Sequence, residues 1–454
     1  MSTEEFTVDS KPCSPPHMTS RVGAPGVYLL LDPDTPNWVI VDDLGREIIA
    51  LCNSTHTIRE ITETLCKKYG EPYEESVEYV LAFANELQKK YFLLKEEFPP
   101  SRRMDKKKIQ LQSIWINVTN RCNLQCIHCH SSSGLPLENE LTTEEIFQVI
   151  SEAAALGVKK MIISGGEPLL RQDILEILEY TSEHIETVIL LTNGTVITKA
   201  IAEKLRELDV SVQVSLDGAL QKTQDFIRGK GSWEKTLRGL KNLTAAGAIV
   251  IISMTLMKKN MDEITEMADL ARQLGVYVLH FPILQLKGRA KENEPVVSFE
   301  NEELVASFKK ILEISKTGDI SITMEKNFRE KIEKMQKIDF CEAGCIVASI
   351  SADGKVYPCA GLYEDEFLVG NIREHHLETI IKESEVLNRF KSFSILDIPE
   401  CKTCEIKFFC GGGCHADRYY VCGQLDVPTP VCKAQKEIYW HLLSEKMKEA
   451  QSNL

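Results

Sequence analysis

Cys122, Cys126 and Cys129 stand in the stretch Thr119 to Gly134, TNRCNLQCIHCHSSSG, at the spacing C-x3-C-x2-C, so one short loop gathers three thiols. That number constrains the chemistry. A structural zinc site takes four protein ligands, and an electron-transfer 4Fe–4S cluster is usually held by four cysteines. Three leave one metal position open. The competing reading of the same loop is a zinc knuckle closed by His128 or His130.

The chain around this loop alternates in period. From Ile114 onward, segments rich in Val and Ile near 114–118, 160–164, 187–191, 211–215, 249–255 and 277–282 are each followed by an amphipathic stretch of helical length. Strands alternating with helices predict an α/β parallel sheet with right-handed crossovers. Six such units predict an open, partial (β/α)6 TIM barrel. Chemistry in such barrels sits at the C-terminal strand ends, and four consecutive strand ends carry polar or glycine-rich loops. The first is the cysteine loop, and the second is Ser164-Gly165-Gly166-Glu167-Pro168. The third is Thr192-Asn193-Gly194, and the fourth is Ser215-Leu216-Asp217-Gly218, with Arg228 following in DFIRGKGSW. Any one glycine pair is ordinary turn chemistry. Their succession in register with three cysteines predicts one site.

The cysteine triad together with Gly-Gly-Glu-Pro at 165–168 resembles the radical S-adenosylmethionine (SAM) superfamily. The resemblance implies that the open iron chelates the amino and carboxylate groups of the cofactor's methionine moiety. One electron from the cluster then splits the sulfonium to give a 5′-deoxyadenosyl radical, which abstracts hydrogen from a substrate. Gly165, Gly166 and Glu167 are the family's GGEP element, implied to contact the cofactor's amino group. Ser215 and Arg228 take the place of the groups that hold its carboxylate, where a planar guanidinium suits two parallel hydrogen bonds. Asn193 and Asp217 complete the expected cofactor-binding set. A low-potential donor such as flavodoxin or ferredoxin is the implied electron source. Gly288-Arg289-Ala290, after the sixth strand, is a candidate edge of the substrate mouth.

Upstream, residues 1 to about 20 read as a mobile tail with Pro12, Pro15 and Pro16. Val27 to Leu31 and Trp38 to Val41 read as a strand pair around Asp32-Pro33-Asp34. Helical patterns follow at 44–51, 58–69 and 74–90, with Thr57 and Glu60 spaced as a capping box. Two strands and three short helices predict a winged-helix-like module over 1–95. Nine Lys or Arg against fifteen Asp or Glu in that span give it the wrong sign for phosphate binding. The module resembles the PqqD-like peptide-recognition domain of peptide maturases, which implies that a leader peptide adds to the exposed strand edge. A purely structural cap is the plainer alternative. Residues 96–112, with Pro99-Pro100 and Arg102, Arg103, Lys106, Lys107 and Lys108, read as a solvated linker to the barrel at 113–325. Residues 300 to about 335 read as a charged helical bridge.

The region 326–454 holds Cys341, Cys345, Cys359, Cys401, Cys404, Cys410, Cys414, Cys422 and Cys432. The run C-x2-C-x5-C-x3-C at 401–414, with Cys432 beyond it and Gly354 to Cys359 upstream, resembles the SPASM extension, which carries two auxiliary 4Fe–4S clusters. The family's crossed ligation implies Cys341, Cys345, Cys359 and Cys414 on one cluster, with Cys401, Cys404, Cys410 and Cys432 on the other. That makes three clusters in all. C-x2-C pairs also build zinc ribbons, and Cys422 is an alternative to Cys341 or Cys345. Cys52 and Cys66 fall on apolar helix positions and read as core residues.

Fifteen cysteines in 454 residues, with no basic-then-apolar start and no apolar run long enough to span a bilayer, predict a cytoplasmic, metal-binding protein free of disulfides. A formal charge of −14 excludes a nucleic-acid surface. The combined expectation is an enzyme that modifies a ribosomally made peptide bearing a leader, by thioether or carbon–carbon crosslinking. Alternatives are an anaerobic sulfatase-type maturase, against which Ala360 stands where those enzymes place an aspartate; a tetrapyrrole-modifying enzyme of haem biosynthesis; and a non-enzymatic iron–sulfur redox or sensor protein.

Overall fold

The computed structural model describes residues 4–23, 25–98, 104, 106 and 109–451. The barrel strands are Ser113–Asn117, Lys160–Ser164, Thr187–Thr192, Ser211–Ser215, Val250–Ser253 and Val278–His280, all parallel and paired in chain order. Their Val, Ile and Leu side chains, such as Ile114, Ile116, Met161, Ile163, Leu190, Val212 and Ile252, lie within one buried core. Helices such as Thr143–Ala155 close over it, each apolar stripe (here Ile146, Val149, Ile150 and Ala153) turned inward. The sheet does not close. Ser321–Ile322 adds a parallel pair at one edge, inside a region expected to be wholly helical. At the other edge Val347–Ile350 runs parallel to Ser113–Asn117 and continues into the antiparallel strands Lys355–Tyr357 and Gly370–Asn371. Among the described residues this makes a ten-stranded sheet. The cysteine-rich region is therefore grafted onto the first barrel strand, beside the cysteine loop.

The N-terminal module differs from its expectation in two respects. Thr19–Val22 pairs antiparallel with Tyr28–Leu31, which pairs with Trp38–Val41, so the sheet has three strands. The preceding residues are not a free tail, because Phe6 is buried in the module's core and Cys13 exchanges backbone hydrogen bonds with Leu94. Helices Asp43–Leu51, Ile58–Tyr69 and Tyr73–Lys89 supply the other face of that core. The Thr57–Glu60 capping box forms, with Thr57 N donating to Glu60 Oε2 at 2.8 Å and Glu60 N to Thr57 Oγ1 at 3.2 Å. The module leans on the C-terminal region, with Trp38 Nε1 donating to Ile332 O at 3.0 Å and Lys407 facing Asp34 at 3.3 Å.

Of the expected linker, Pro99, Pro100, Arg102, Arg103, Lys107 and Lys108 lie outside the described residues. Lys106 is not solvated as expected. It is buried, donates to Phe393 O and sits over the Phe340 ring. The neighbouring Met104 N–H donates to Asp339 at 2.8 Å.

Candidate active site in the barrel and two cysteine sets beyond it

The cysteine loop leaves the first strand at Val118 and is tied at both ends. Cys122 N–H donates to Gly134 O at 2.8 Å and Gly134 N–H to Asn120 O at 3.1 Å, while Glu140 accepts from Thr119 Oγ1 and Asn120 N. Gly165 and Gly166 stand directly behind this entry. A Cβ on Gly165 would run into Thr119 O, and one on Gly166 into Arg121 O. The close approach these glycines permit is thus first to the backbone of the cysteine loop.

Cys122, Cys126 and Cys129 line one cavity of about 350 Å³ at the C-terminal strand ends, together with Gly165, Gly166, Asn193, Ser215 and Arg228. The sequence-predicted residues are thereby brought together, with two exceptions. Glu167 and Asp217 are fully buried behind the wall. Glu167 accepts from Thr192 Oγ1 at 2.8 Å, Asn193 N at 2.7 Å and Leu169 N at 3.1 Å, so it fixes the third strand's loop. Asp217 accepts from Arg228 Nε at 2.5 Å and Thr255 N at 2.8 Å and faces His128 Nε2 at 3.2 Å. Burial alone would raise the Asp217 carboxyl, but Arg228 and His128 hold it below its usual range. Arg228 in turn points Nη1 at Cys126 Sγ, 3.8 Å away.

Burial pushes the thiols of Cys122 and Cys126 up, the latter to about 11. Burial acts on Cys129 in the same sense, yet hydrogen bonds from Ser131 and Ser133 and the charge of Arg289 bring it below its ordinary value. Cys129 is therefore the thiol readiest to ionise. Among the described residues no three His, Cys, Asp or Glu side chains converge on a point that would hold a single metal ion.

Two groups of residues escaped sequence reasoning. Asn123 bridges the cysteine loop to the third strand's loop, accepting from Asn193 Nδ2 at 2.9 Å and donating to Thr195 Oγ1 at 2.9 Å. Arg289 lines the cavity beside Gly288, which borders the mouth as expected, and also clasps the cysteine loop, a role the sequence reading did not give it. Its Nε donates to Cys126 O at 2.9 Å, its Nη1 to Ser133 O at 3.0 Å and its backbone N–H to Cys129 O at 3.0 Å. The hint in the sequence was Gly288, whose φ is positive and where a Cβ would run into His130 O and Cys129 O.

A second cavity of about 430 Å³ shares His130, Ser131, Ser133 and Gly165 with the first and opens toward the C-terminal region. Lys287, Tyr363, Glu364 and Tyr420 line it. Tyr420 OH donates to Glu364 at 2.8 Å, and the buried Lys287 ammonium lies about 5 Å from both tyrosine rings, at 5.0 and 4.9 Å. Burial lowers the Lys287 pKa, opposed by the charge of Glu364.

Beyond this mouth the remaining cysteines sort into two sets. Cys401, Cys404, Cys410 and Cys432 all border one small void. Cys341, Cys359 and Cys414 pack together on a separate apolar cluster, and Cys345 is buried next to Cys341. Burial raises each of Cys341, Cys345, Cys359 and Cys414, and neighbouring thiols of the same set add to it for the last three. Cys422 is exposed at the end of the helix His415–Cys422 and belongs to neither set. Cys52 lies in the core of the N-terminal module.

Three family models match the chain. Residues 116–271 match the Radical SAM superfamily, 341–405 the iron–sulfur cluster-binding domain SPASM, and 28–93 coenzyme PQQ synthesis protein D. The AdoMet-dependent heme synthase of Methanosarcina barkeri is 36% identical over 334 residues, 69% of this chain and 94% of that protein. The chain belongs to the radical SAM/SPASM family. It is a SAM-dependent enzyme with iron–sulfur clusters and a PqqD-like domain. The mycofactocin maturase MftC of Mycolicibacterium smegmatis is 33% identical, covering 69% of this chain and 81% of its own. Streptococcus suis SuiB bound to precursor peptide SuiA shares the fold at a TM-score of 0.61 and 15% identity, over 94% of this chain and 99% of that one. No helix among the described residues is long and apolar enough to cross a membrane.

Proposed function

We propose that this enzyme modifies a ribosomally synthesised peptide, forming a thioether or carbon–carbon crosslink. The observation that carries the reading is the convergence of three thiols, the Gly165-Gly166 backbone, Ser215 and Arg228 on one cavity. That donor set suits a three-cysteine 4Fe–4S cluster with SAM on its open iron, and the cavity falls within the usual range for a small ligand. When bound, the pair supplies a 5′-deoxyadenosyl radical. Ser215 and Arg228 would take the methionine carboxylate, with Arg228 aimed by Asp217. Glu167 holds the Asn193 loop in place, so its part is to position the wall that faces the amino group. Cys341, Cys345, Cys359 and Cys414 would hold one auxiliary 4Fe–4S cluster, and Cys401, Cys404, Cys410 and Cys432 a second. A low-potential flavodoxin or ferredoxin would supply electrons, and the compartment would be the cytoplasm.

The peptide would enter through the 430 Å³ mouth, where Lys287, Glu364 and Tyr420 face it, while its leader is held by the PqqD-like module. Modification of a tetrapyrrole in haem biosynthesis is the second reading, favoured by the 36% identity to an AdoMet-dependent heme synthase.

Anaerobic reconstitution should give roughly twelve irons per chain. Dithionite should drive SAM cleavage to 5′-deoxyadenosine, and Cys126→Ala should reduce that to background. Retained cleavage in Cys126→Ala overturns the site. Mass spectrometry of products from a leader-bearing peptide, against those from an iron porphyrin, separates the two readings.

A further inference from the structure

Arg418 is fully buried in the helix His415–Cys422, among the largest side chains in the protein with almost no exposure. A guanidinium stays charged at any pH a folded protein meets. Burying such a charge without a counter-charge is costly. Among the described residues none forms a salt bridge with it. Its Nη1 donates to Leu425 O at 2.9 Å and approaches His415 Nδ1 at 3.4 Å, its Nη2 donates to Gly412 O, and its Nε has no partner. The neighbouring Asp417 carboxyl is itself buried, and burial pushes it up to about 6 against the charge of Arg418, yet it forms no salt bridge with the guanidinium among the described residues.

The place kept for this cation is specific. Gly412 lies between Cys410 and Cys414, with φ +80°, and a Cβ there would collide with Arg418 Nη2. Cys410 belongs to one cysteine set and Cys414 to the other. The groups whose negative charge acts on the guanidinium are Cys341 and Cys414 from the first set and Cys401 and Cys410 from the second. Arg418 thus sits where the two sets approach each other, its Nη2 on the Gly412 carbonyl between Cys410 and Cys414, and cysteines of both sets would face it with negative charge once they ligate metal as thiolates.

We propose that Arg418 is the shared counter-cation of the two auxiliary clusters and sets their reduction potentials. This rests on the reading of two auxiliary 4Fe–4S clusters given above. A four-thiolate cluster carries net negative charge in both redox states and gains one more negative charge on reduction. A buried positive charge beside it favours the reduced state, because cluster potential follows net charge and the hydrogen bonding around the sulfurs. Arg418 is a positioning residue, since it touches neither SAM nor substrate.

The test is a redox titration of the reconstituted full-length enzyme, followed by EPR, for the wild type, Arg418→Lys and Arg418→Gln. In Arg418→Gln the reduced-to-oxidised ratio of both auxiliary clusters at a fixed ambient potential should fall about tenfold, equivalent to a shift of about 59 mV for one electron. Arg418→Lys, which keeps the charge without the fork, should fall between the two. The barrel cluster, whose cysteines are not among those acting on Arg418, should not move. Filled auxiliary clusters with unchanged potentials would overturn the proposal, as would a shift confined to one cluster. Loss of both auxiliary signals in the lysine variant as well as in the glutamine variant, with the barrel cluster kept, would assign Arg418 to folding alone. A wild type without auxiliary signals would instead fail the two-cluster reading, and the proposal with it.

Discussion

The two ends of this chain are built by different means. The N-terminal module closes one continuous apolar core, in which Leu30, Val39, Ile48, Ile49, Ile58, Ile61 and Phe92 are buried with Phe6. Burial of each such side chain contributes about 1.5–3 kcal/mol, which suffices for a small helical and sheet unit. The cysteine-rich end shares the barrel's large core through residues such as Val356, Ile380, Ile438, Tyr439 and Leu442, and adds two small apolar clusters that its own cysteines fill out. Cys341, Cys359 and Cys414 pack around one cluster and Cys401 lies within another. It also buries charge at Lys106, Lys407 and Arg418. The contrast teaches that the first end folds by burying hydrocarbon in a core of its own, whereas the second joins a shared core and gathers its cysteines into small clusters, where bound metal would contribute folding energy.

The largest expected effect tests this contrast directly. Enzyme prepared without iron should lose amide hydrogen-exchange protection across 341–432 by several orders of magnitude, while 27–93 stays protected. Equal protection at both ends would dismiss the contrast. Next comes the barrel's cysteine loop, which resembles neither end because protein contacts pin it before any metal arrives. Arg289→Ala removes two charged donors to Cys126 O and Ser133 O, each worth about 1.5–3 kcal/mol. The 5′-deoxyadenosine yield should fall roughly a hundredfold, and iron bound to the barrel site should fall with it. Ile61→Ala in the module should cost about 2–5 kcal/mol and abolish precursor-peptide binding measured by calorimetry, yet leave peptide-independent SAM cleavage within about twofold. A parallel loss of cleavage would show that the module supports the barrel.

The smallest effect concerns the seam between barrel and cysteine-rich end. Arg373 donates Nε and Nη2 to Glu145 at 2.6 and 2.8 Å, and this hydrogen bonding holds the Glu145 carboxyl below its ordinary value. A depressed carboxylate adds stability above its unfolded pKa that disappears as pH falls through its folded one. Arg373→Ala should therefore lower stability by no more than about 1 kcal/mol at pH 7 and flatten the loss otherwise seen below pH 4.5 in thermal melts.

Much of the site was legible from neighbours in the chain. The C-x3-C-x2-C spacing, the period-2 runs of Val and Ile, the polar residues at successive strand ends and the Thr57–Glu60 cap are all local patterns. Strand and helix geometry impose them on adjacent residues whatever the rest of the molecule does. Other readings failed because their cause was distant. The N-terminal tail packs because Phe6 finds a core built from residues up to 93, and Lys106 is buried because Phe340 and Phe393 fold over it. The glycines at 165 and 166 line the cavity as a ligand cradle would and also seat the loop at 119–121, a second task that no local pattern announced.

The sequence by itself determined the parallel α/β barrel, the three-thiol loop at its rim and the PqqD-like and SPASM-type extensions, since each is written in short-range spacing. Tertiary structure alone decided that Arg289 clasps the cysteine loop from 163 residues away and that Lys287 meets Glu364 and Tyr420 at the mouth. It also decided that Arg418 lies between two cysteine sets. Such meetings depend on how the sheet edge at 113–117 receives the strand at 347–350, a pairing that no local period encodes.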